Sequence, residues 1–108
     1  MIIRTVAVAD KPAWARLYAG YAAFYKVDQT EAMRETVWGW LMDPAHTTEG
    51  LVAEQDGVVI GLAHFRAFAR PLSASTGGFL DDLFVDPAAR GAGAAEALLQ
   101  ALANKGPN

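Results

Sequence analysis

Residues 80–95 read Leu-Asp-Asp-Leu-Phe-Val-Asp-Pro-Ala-Ala-Arg-Gly-Ala-Gly-Ala-Ala. A β-prone run ends at Val85, Pro87 breaks it, and a stretch of tiny residues opens directly into a helical pattern. The backbone N–H groups of such a loop have no side chains to shield them, and a helix N-terminus adds about half a positive charge. Together they make a nest for a phosphate or pyrophosphate. Arg90 stands at its mouth as a further donor. Bulkier residues at 91–95 would hold an anion away from the amides.

Three phosphate-binding patterns compete for this loop. A P-loop needs Gly-Lys-Ser/Thr, and no such triplet follows Gly93. A dinucleotide fingerprint accepts Gly91 and Gly93 but meets Glu96 where its third small residue belongs. Its ribose-binding acid, about 20 residues further on, would fall beyond Asn108. The third pattern is the coenzyme A pyrophosphate loop, Arg/Gln-x-x-Gly-x-Gly/Ala, which Arg90, Gly93 and Ala95 satisfy at every position.

Here the chain resembles the GNAT superfamily of N-acetyltransferases. Leu-Asp-Asp-Leu-Phe-Val-x-Pro-x-x-Arg-Gly looks like that family's fourth strand and motif A, and a helix follows as it should. Upstream, a strand, two helices, an Asp-Gly hairpin and a Val-Ile-Gly-Leu strand run in the family's order. The resemblance spans the chain and is most specific from Leu80 to Leu102.

It implies one α/β domain over residues 1–108 with the acyl-CoA N-acyltransferase fold, a mixed, mostly antiparallel sheet flanked by helices. The implied activity is acetyl transfer from acetyl-CoA to a primary amine of a small molecule in a ternary complex. The pyrophosphate would sit on the amides of Gly91, Ala92, Gly93, Ala94, Ala95 and Glu96, with Arg90 beside them. The pantetheine arm would pair with Leu83, Phe84 and Val85, one of whose amides would polarise the thioester carbonyl.

The attacking amine must first lose a proton, and Asp81 or Asp82 is the implied acceptor. Neighbours on a strand face opposite sides, so only one is expected to reach the amine. The diamine- and polyamine-acetylating branch places an acid at the position of Asp81, which favours Asp81 for substrate contact and leaves Asp82 supporting it. That branch also carries an aromatic followed by Glu near the end of the first helix. This chain has Phe24-Tyr25 there, keeping the aromatic without the acid.

Family domains continue past the motif A helix with a strand, a helix bearing the general-acid tyrosine, and two further strands. Relative to that pattern the chain holds the N-terminal two-thirds. Its fourth strand would then expose an edge that invites pairing, a homodimer being one form. The alternative function, from another class, is a non-catalytic acyl-CoA-binding or protein-interaction module.

Several elements must position these residues. Ile2 to Val6 reads as a strand. Asp10 and Pro12 start a helix whose stripe is Trp14, Leu17, Tyr18 and Tyr21, and which reaches about Tyr25. Thr30 caps a second helix with Met33, Val37, Trp38 and Leu41 inward, ended by Asp43-Pro44. Leu51 to Gln55 and Val58 to Ala69 are strands about an Asp56-Gly57 turn. Pro71 to Gly78 reads as a loop and Phe79 to Val85 as a strand. Ala95, Leu98, Leu99 and Leu102 form the stripe of the last helix, with Gly106-Pro107 as its stop.

Plainer readings stand beside these. Asp81 and Asp82 could be solvated at a strand edge, and the tryptophans at helical spacing read as core. His64, alternating with Leu62 and Arg66, reads as a partly buried histidine or a cleft residue. Arg66 and Arg70 are surface charges or partners for the CoA 3′-phosphate.

Composition excludes other classes. The 108 residues are 53% hydrophobic and 19% charged, which fits a folded domain rather than a disordered chain. With no cysteine there is no thiolate chemistry, zinc-thiolate site or disulfide, and a reducing, cytoplasmic location is expected. The net charge of -3 offers no basic stripe for nucleic acid, and no apolar run suits a membrane span. His46-Thr-Thr-Glu49 lacks further ligands, so no metal is expected. Ser73 and Ser75 lack a nucleophile elbow.

Overall fold

The computed structural model describes residues 1–105 and runs β1 (Ile2–Thr5), α1 (Lys11–Phe24), α2 (Glu31–Met42), β2 (Thr48–Gln55), β3 (Val58–Arg70), β4 (Ser75–Val85) and α3 (Ala94–Lys105). The Gly106-Pro107 stop lies outside the described residues. The strands form one sheet in the order β1-β2-β3-β4, and every neighbouring pair is antiparallel. The parallel pairing that a mixed sheet requires is therefore not among the described strands.

Helices α1 and α2 start where their residues can satisfy or dispense with free amides. The Thr30 hydroxyl accepts from the Met33 amide at 3.1 Å to cap α2, while Pro12 lies in the first turn of α1, where no amide bond is lost. The two faces of the sheet bury separate cores. Trp14 and Leu17 of α1 and Trp38 of α2 pack with Val52, Leu62 and Phe84 on one face. Ala94, Leu98 and Leu102 of α3 pack with Leu51, Ala63 and Phe65 on the other. A Cβ at Gly78 would lie 2.9 Å from Leu102 Cδ1, so α3 rests directly on β4 there.

Three expectations shift. The stretch 75–78 is strand rather than loop, because Ser75 to Gly78 pair with Arg70 to Ala67 and a long partner strand overrides weak propensity. The buried stripe of α3 is Ala94, Leu98 and Leu102, while Leu99 is exposed. Met33 and Trp40 of α2 are also exposed, since α2 turns only its Trp38 edge fully inward.

Candidate active site

After Val85 the chain leaves the sheet through a turn that its own residues fix. The Asp86 amide donates to the Ile60 carbonyl at 2.8 Å, and the Asp86 carboxylate accepts from the Ala88 amide at 3.0 Å. This caps a 3-10 turn at Pro87–Ala89. Gly91 and Gly93 follow at φ of 92° and 83°, in the left-handed region that glycine adopts without penalty. The first helical bond of α3 runs from the Ala97 amide to the Gly93 carbonyl at 3.0 Å. The amides of Ala94, Ala95 and Glu96 therefore have no acceptor within the helix. The free amides at the positive end of the helix and exposed Arg90 line one cleft, a cradle whose donors suit a pyrophosphate.

A cleft of about 430 Å³ opens on this cradle. Of the residues expected to hold the cofactor, Leu83, Phe84, Val85, Arg90, Gly91, Gly93, Ala94, Ala95 and Glu96 line it; Ala92 does not. Phe24 and Tyr25 line the same cleft, with the Arg90 guanidinium 6.0 Å from the centre of the Phe24 ring. The structure thus brings Phe24 and Tyr25 to the loop and not to the carboxylates.

Asp81 and Asp82 line a second cavity, of about 260 Å³, with Tyr18, Trp40, Thr48 and His64. The expectation that only one of them faces a given side fails for a local reason. His64 pairs with Asp82 and Phe65 with Leu80, which leaves Asp81 as the extra residue of a β-bulge. Leu80 and Leu83 both pack on the α3 face although three residues apart, which regular alternation forbids. Both carboxylates are left on the α1 face. Asp81 is exposed and meets Arg66 Nε at 3.3 Å.

Asp82 is held more firmly. Its Oδ2 lies 2.8 Å from His64 Nδ1 and accepts from the Tyr18 hydroxyl at 3.1 Å. Burial alone would push this carboxyl up. The His64 contact, helped by the hydroxyls of Tyr21 and Tyr18, outweighs it and holds Asp82 below its ordinary value. Burial and the nearby Asp82 charge push Tyr21 up to about 12, and Tyr18 rises for the same reasons.

His64 itself is 2% exposed, more deeply buried than its spacing suggested, and accepts on Nε2 from the Trp14 indole at 2.9 Å. The sequence places Trp14 in the core and leaves His64 as a partly buried histidine or a cleft residue. The available clue was that His64 shares a face with Leu62 while Trp14 heads the α1 stripe. Among the described residues no group of three or more His, Asp and Glu is arranged to hold a metal ion. Nor is any described helix long and apolar enough to cross a membrane.

The fold recurs among solved structures. A ribosomal-protein-alanine N-acetyltransferase from Brucella melitensis biovar Abortus 2308 is 28% identical, with a TM-score of 0.77 over 96% of this chain and 69% of that one. A possible acetyltransferase from Clostridium difficile 630 is 15% identical, with a TM-score of 0.80 over 95% of this chain and 68% of its own. The aminoglycoside 6′-N-acetyltransferase AAC(6′)-IG from Acinetobacter haemolyticus is 22% identical, with a TM-score of 0.72 over 94% of this chain and 68% of its own. At those identities the last two speak for the fold alone. No curated protein matches the sequence. The profile of the acetyltransferase (GNAT) family matches residues 14–108, and with the amide cradle at the mouth of α3 this shows that the chain belongs to that family.

Proposed function

We propose that the protein transfers an acetyl group from acetyl-CoA to a primary amine by direct attack in a ternary complex. The observation that carries this reading is the order of groups along one strand and its exit. Two carboxylates at Asp81 and Asp82 are followed by the sheet edge at Leu83–Val85 and then by the amide cradle at 90–96. Acetyl-CoA, when bound, would supply an acetyl thioester: the amine nitrogen bonds to the carbonyl carbon, the C–S bond breaks, and coenzyme A leaves as the thiolate, which takes up the second amine proton to depart as the thiol.

In this reading Arg90 and the amides of 91–96 hold the pyrophosphate. Being an edge of the described sheet, β4 offers the outward amides and carbonyls of Leu83 and Val85 to the pantetheine arm, while those of Phe84 between them face β3. Phe24 and Tyr25 wall the cleft on that side. A second copy of the chain pairing on this edge would occupy the same groups, so a homodimer built there competes with the cofactor.

The amine enters as an ammonium drawn to the carboxylate pair. Asp81, exposed and paired with Arg66, meets it. Asp82, ionised and fixed, takes the proton directly or through a water. A diamine or polyamine suits two adjacent carboxylates; an alanine of a ribosomal protein is the other candidate, from the name of the Brucella neighbour.

Thiol release from acetyl-CoA over a panel of amines, with calorimetry of CoA binding, tests the proposal. Turnover with one amine class supports it. Binding of CoA without turnover on any amine favours the non-catalytic acyl-CoA-binding module instead.

A further inference from the structure

The Trp14–His64–Asp82 chain is the one buried polar feature of the site that phosphate binding and amine attraction do not call for. An indole N–H only donates, so the Trp14 bond at 2.9 Å makes His64 Nε2 an acceptor and places the ring proton on Nδ1. That proton faces Asp82 Oδ2 at 2.8 Å, where the Tyr18 hydroxyl also arrives at 3.1 Å. Both hydrogen bonds fall on the same oxygen. The Tyr21 hydroxyl also faces this carboxylate, but no hydrogen bond among the described residues ends on Oδ1, and Asp82 lines the cavity.

We propose that Trp14, His64 and Tyr18 are positioning residues that clamp one oxygen of Asp82 and leave the other free for the amine proton. This rests on the acetyl-transfer reading above. With its Nε2 lone pair already taken, His64 is no proton acceptor for a substrate; it acts through Asp82. The contacts lie on three elements: Trp14 and Tyr18 on α1, His64 on β3, Asp82 on β4. The titratable and charged groups facing Asp82 are His64, Tyr18, Tyr21 and Asp81 with its Arg66.

The device explains a pairing of residue types that packing alone does not select. Trp14 and His64 are 1% and 2% exposed, and a buried imidazole needs partners for both nitrogens. Leucine or phenylalanine would fill the space without polar atoms to satisfy. The retained polar groups form one directed chain ending at the cavity.

Four variants of the full chain separate positioning from packing. Trp14→Phe keeps an aromatic ring without the N–H, and Tyr18→Phe loses only the hydroxyl. His64→Asn keeps a donor near Nδ1, and His64→Leu keeps none. Nitrogen NMR of labelled histidine reads the tautomer, carboxyl-carbon NMR of labelled aspartate reads Asp82, and acetyl transfer is assayed with putrescine and glycinamide.

The expected result is a ring proton on Nδ1 in the parent chain and a population on Nε2 in Trp14→Phe. Asp82 titrates higher in Tyr18→Phe and His64→Leu, with partial return in His64→Asn. His64→Leu lowers kcat roughly 10- to 100-fold, the scale of a lost hydrogen bond to a charged group, with KM little changed. A proton on Nε2 in the parent chain, or an Asp82 titration unmoved by both Tyr18→Phe and His64→Leu, overturns the proposal. If the parent chain acetylates neither amine, the acetyl-transfer reading falls, and the tautomer and titration results still decide the clamp. Should a His64 variant fail to fold, Tyr18→Phe and Trp14→Phe carry the test.

Discussion

Asp81 and Asp82 are consecutive residues of β4 whose carboxylates line the same cavity. The bulge at Asp81 allows this, and the two differ in what holds them. Asp81 is exposed beside Arg66, whereas Asp82 is half-buried and tied to His64 and Tyr18.

That difference predicts a kinetic split. Asp81→Asn is expected to raise KM for a cationic amine with kcat nearly unchanged, because it removes attraction without touching the proton acceptor. Asp82→Asn is expected to lower kcat roughly a hundredfold or more, the usual scale for a positioned proton acceptor. Steady-state kinetics on the two variants checks this, and a kcat loss confined to Asp81→Asn would reverse the assignment.

Glu96 sits in the first turn of α3, with Oε2 close enough to lie 3.8 Å from a Cβ built at Gly93. Its charge favours the helix dipole and opposes an anion in the cradle. Glu96→Gln should therefore tighten CoA binding about two- to fivefold while lowering stability by about 0.5 kcal/mol. Calorimetry and urea melts on the same sample read both signs.

The cradle itself depends on Gly93 at φ of 83°. Gly93→Ala makes only an ordinary contact with Glu96 Oε2 at 3.8 Å but must hold alanine in the left-handed region, at a cost of about 1 kcal/mol. The expected outcome is a modest loss of stability in urea melts and a weaker hold on CoA. Unchanged binding would show that the loop does not need this conformation.

Away from the site, Arg4 bridges Asp10 at 2.7 and 2.9 Å and Glu54 at 2.9 and 3.0 Å, joining β1 to the start of α1 and to β2. Asp10 also accepts from the Ala7 amide at 2.7 Å. Because Arg4 is partly exposed, solvent screens this ion pair and it is weaker than a fully buried one. Asp10→Ala is expected to cost about 2 kcal/mol, read as a lower urea midpoint with unchanged slope.

The same contacts set an acid limit. The Arg4 guanidinium holds Asp10 below its ordinary value, and Asp82 is also lowered. On acidification the unfolded chain takes up these protons first. The stability they contribute is fully present above about pH 4 and is lost as pH falls through the lower folded values. Urea midpoints should be flat above that point and drop below it, with a smaller drop in Asp10→Ala.

Local signals in the sequence reached the element order and the loop, because turn residues and helix starts act over a few neighbours. Asp56-Gly57, Pro87 and the tiny residues at 91–95 each did what their types dictate. Long-range pairing was not legible in this way. The bulge at Asp81 is a property of register between β3 and β4, and strand alternation applied to β4 alone misassigns the pair. His64 gains its meaning from Trp14, fifty positions away, and from the cross-strand Asp82. Phe24 and Tyr25 fell at the loop instead of the carboxylates because the direction of α1 across the sheet is set by packing at Trp14 and Leu17. Ser75 to Gly78 became strand through a partner that propensity does not see.

The proposed activity depends on the cradle at 90–96 holding the pyrophosphate of coenzyme A. Titration calorimetry of acetyl-CoA into the parent chain, Arg90→Ala and Gly93→Glu tests it most directly. The parent chain should bind, Arg90→Ala should bind about tenfold or more weakly with undiminished stability, and Gly93→Glu should not bind measurably. Equal affinity in all three chains would contradict the account.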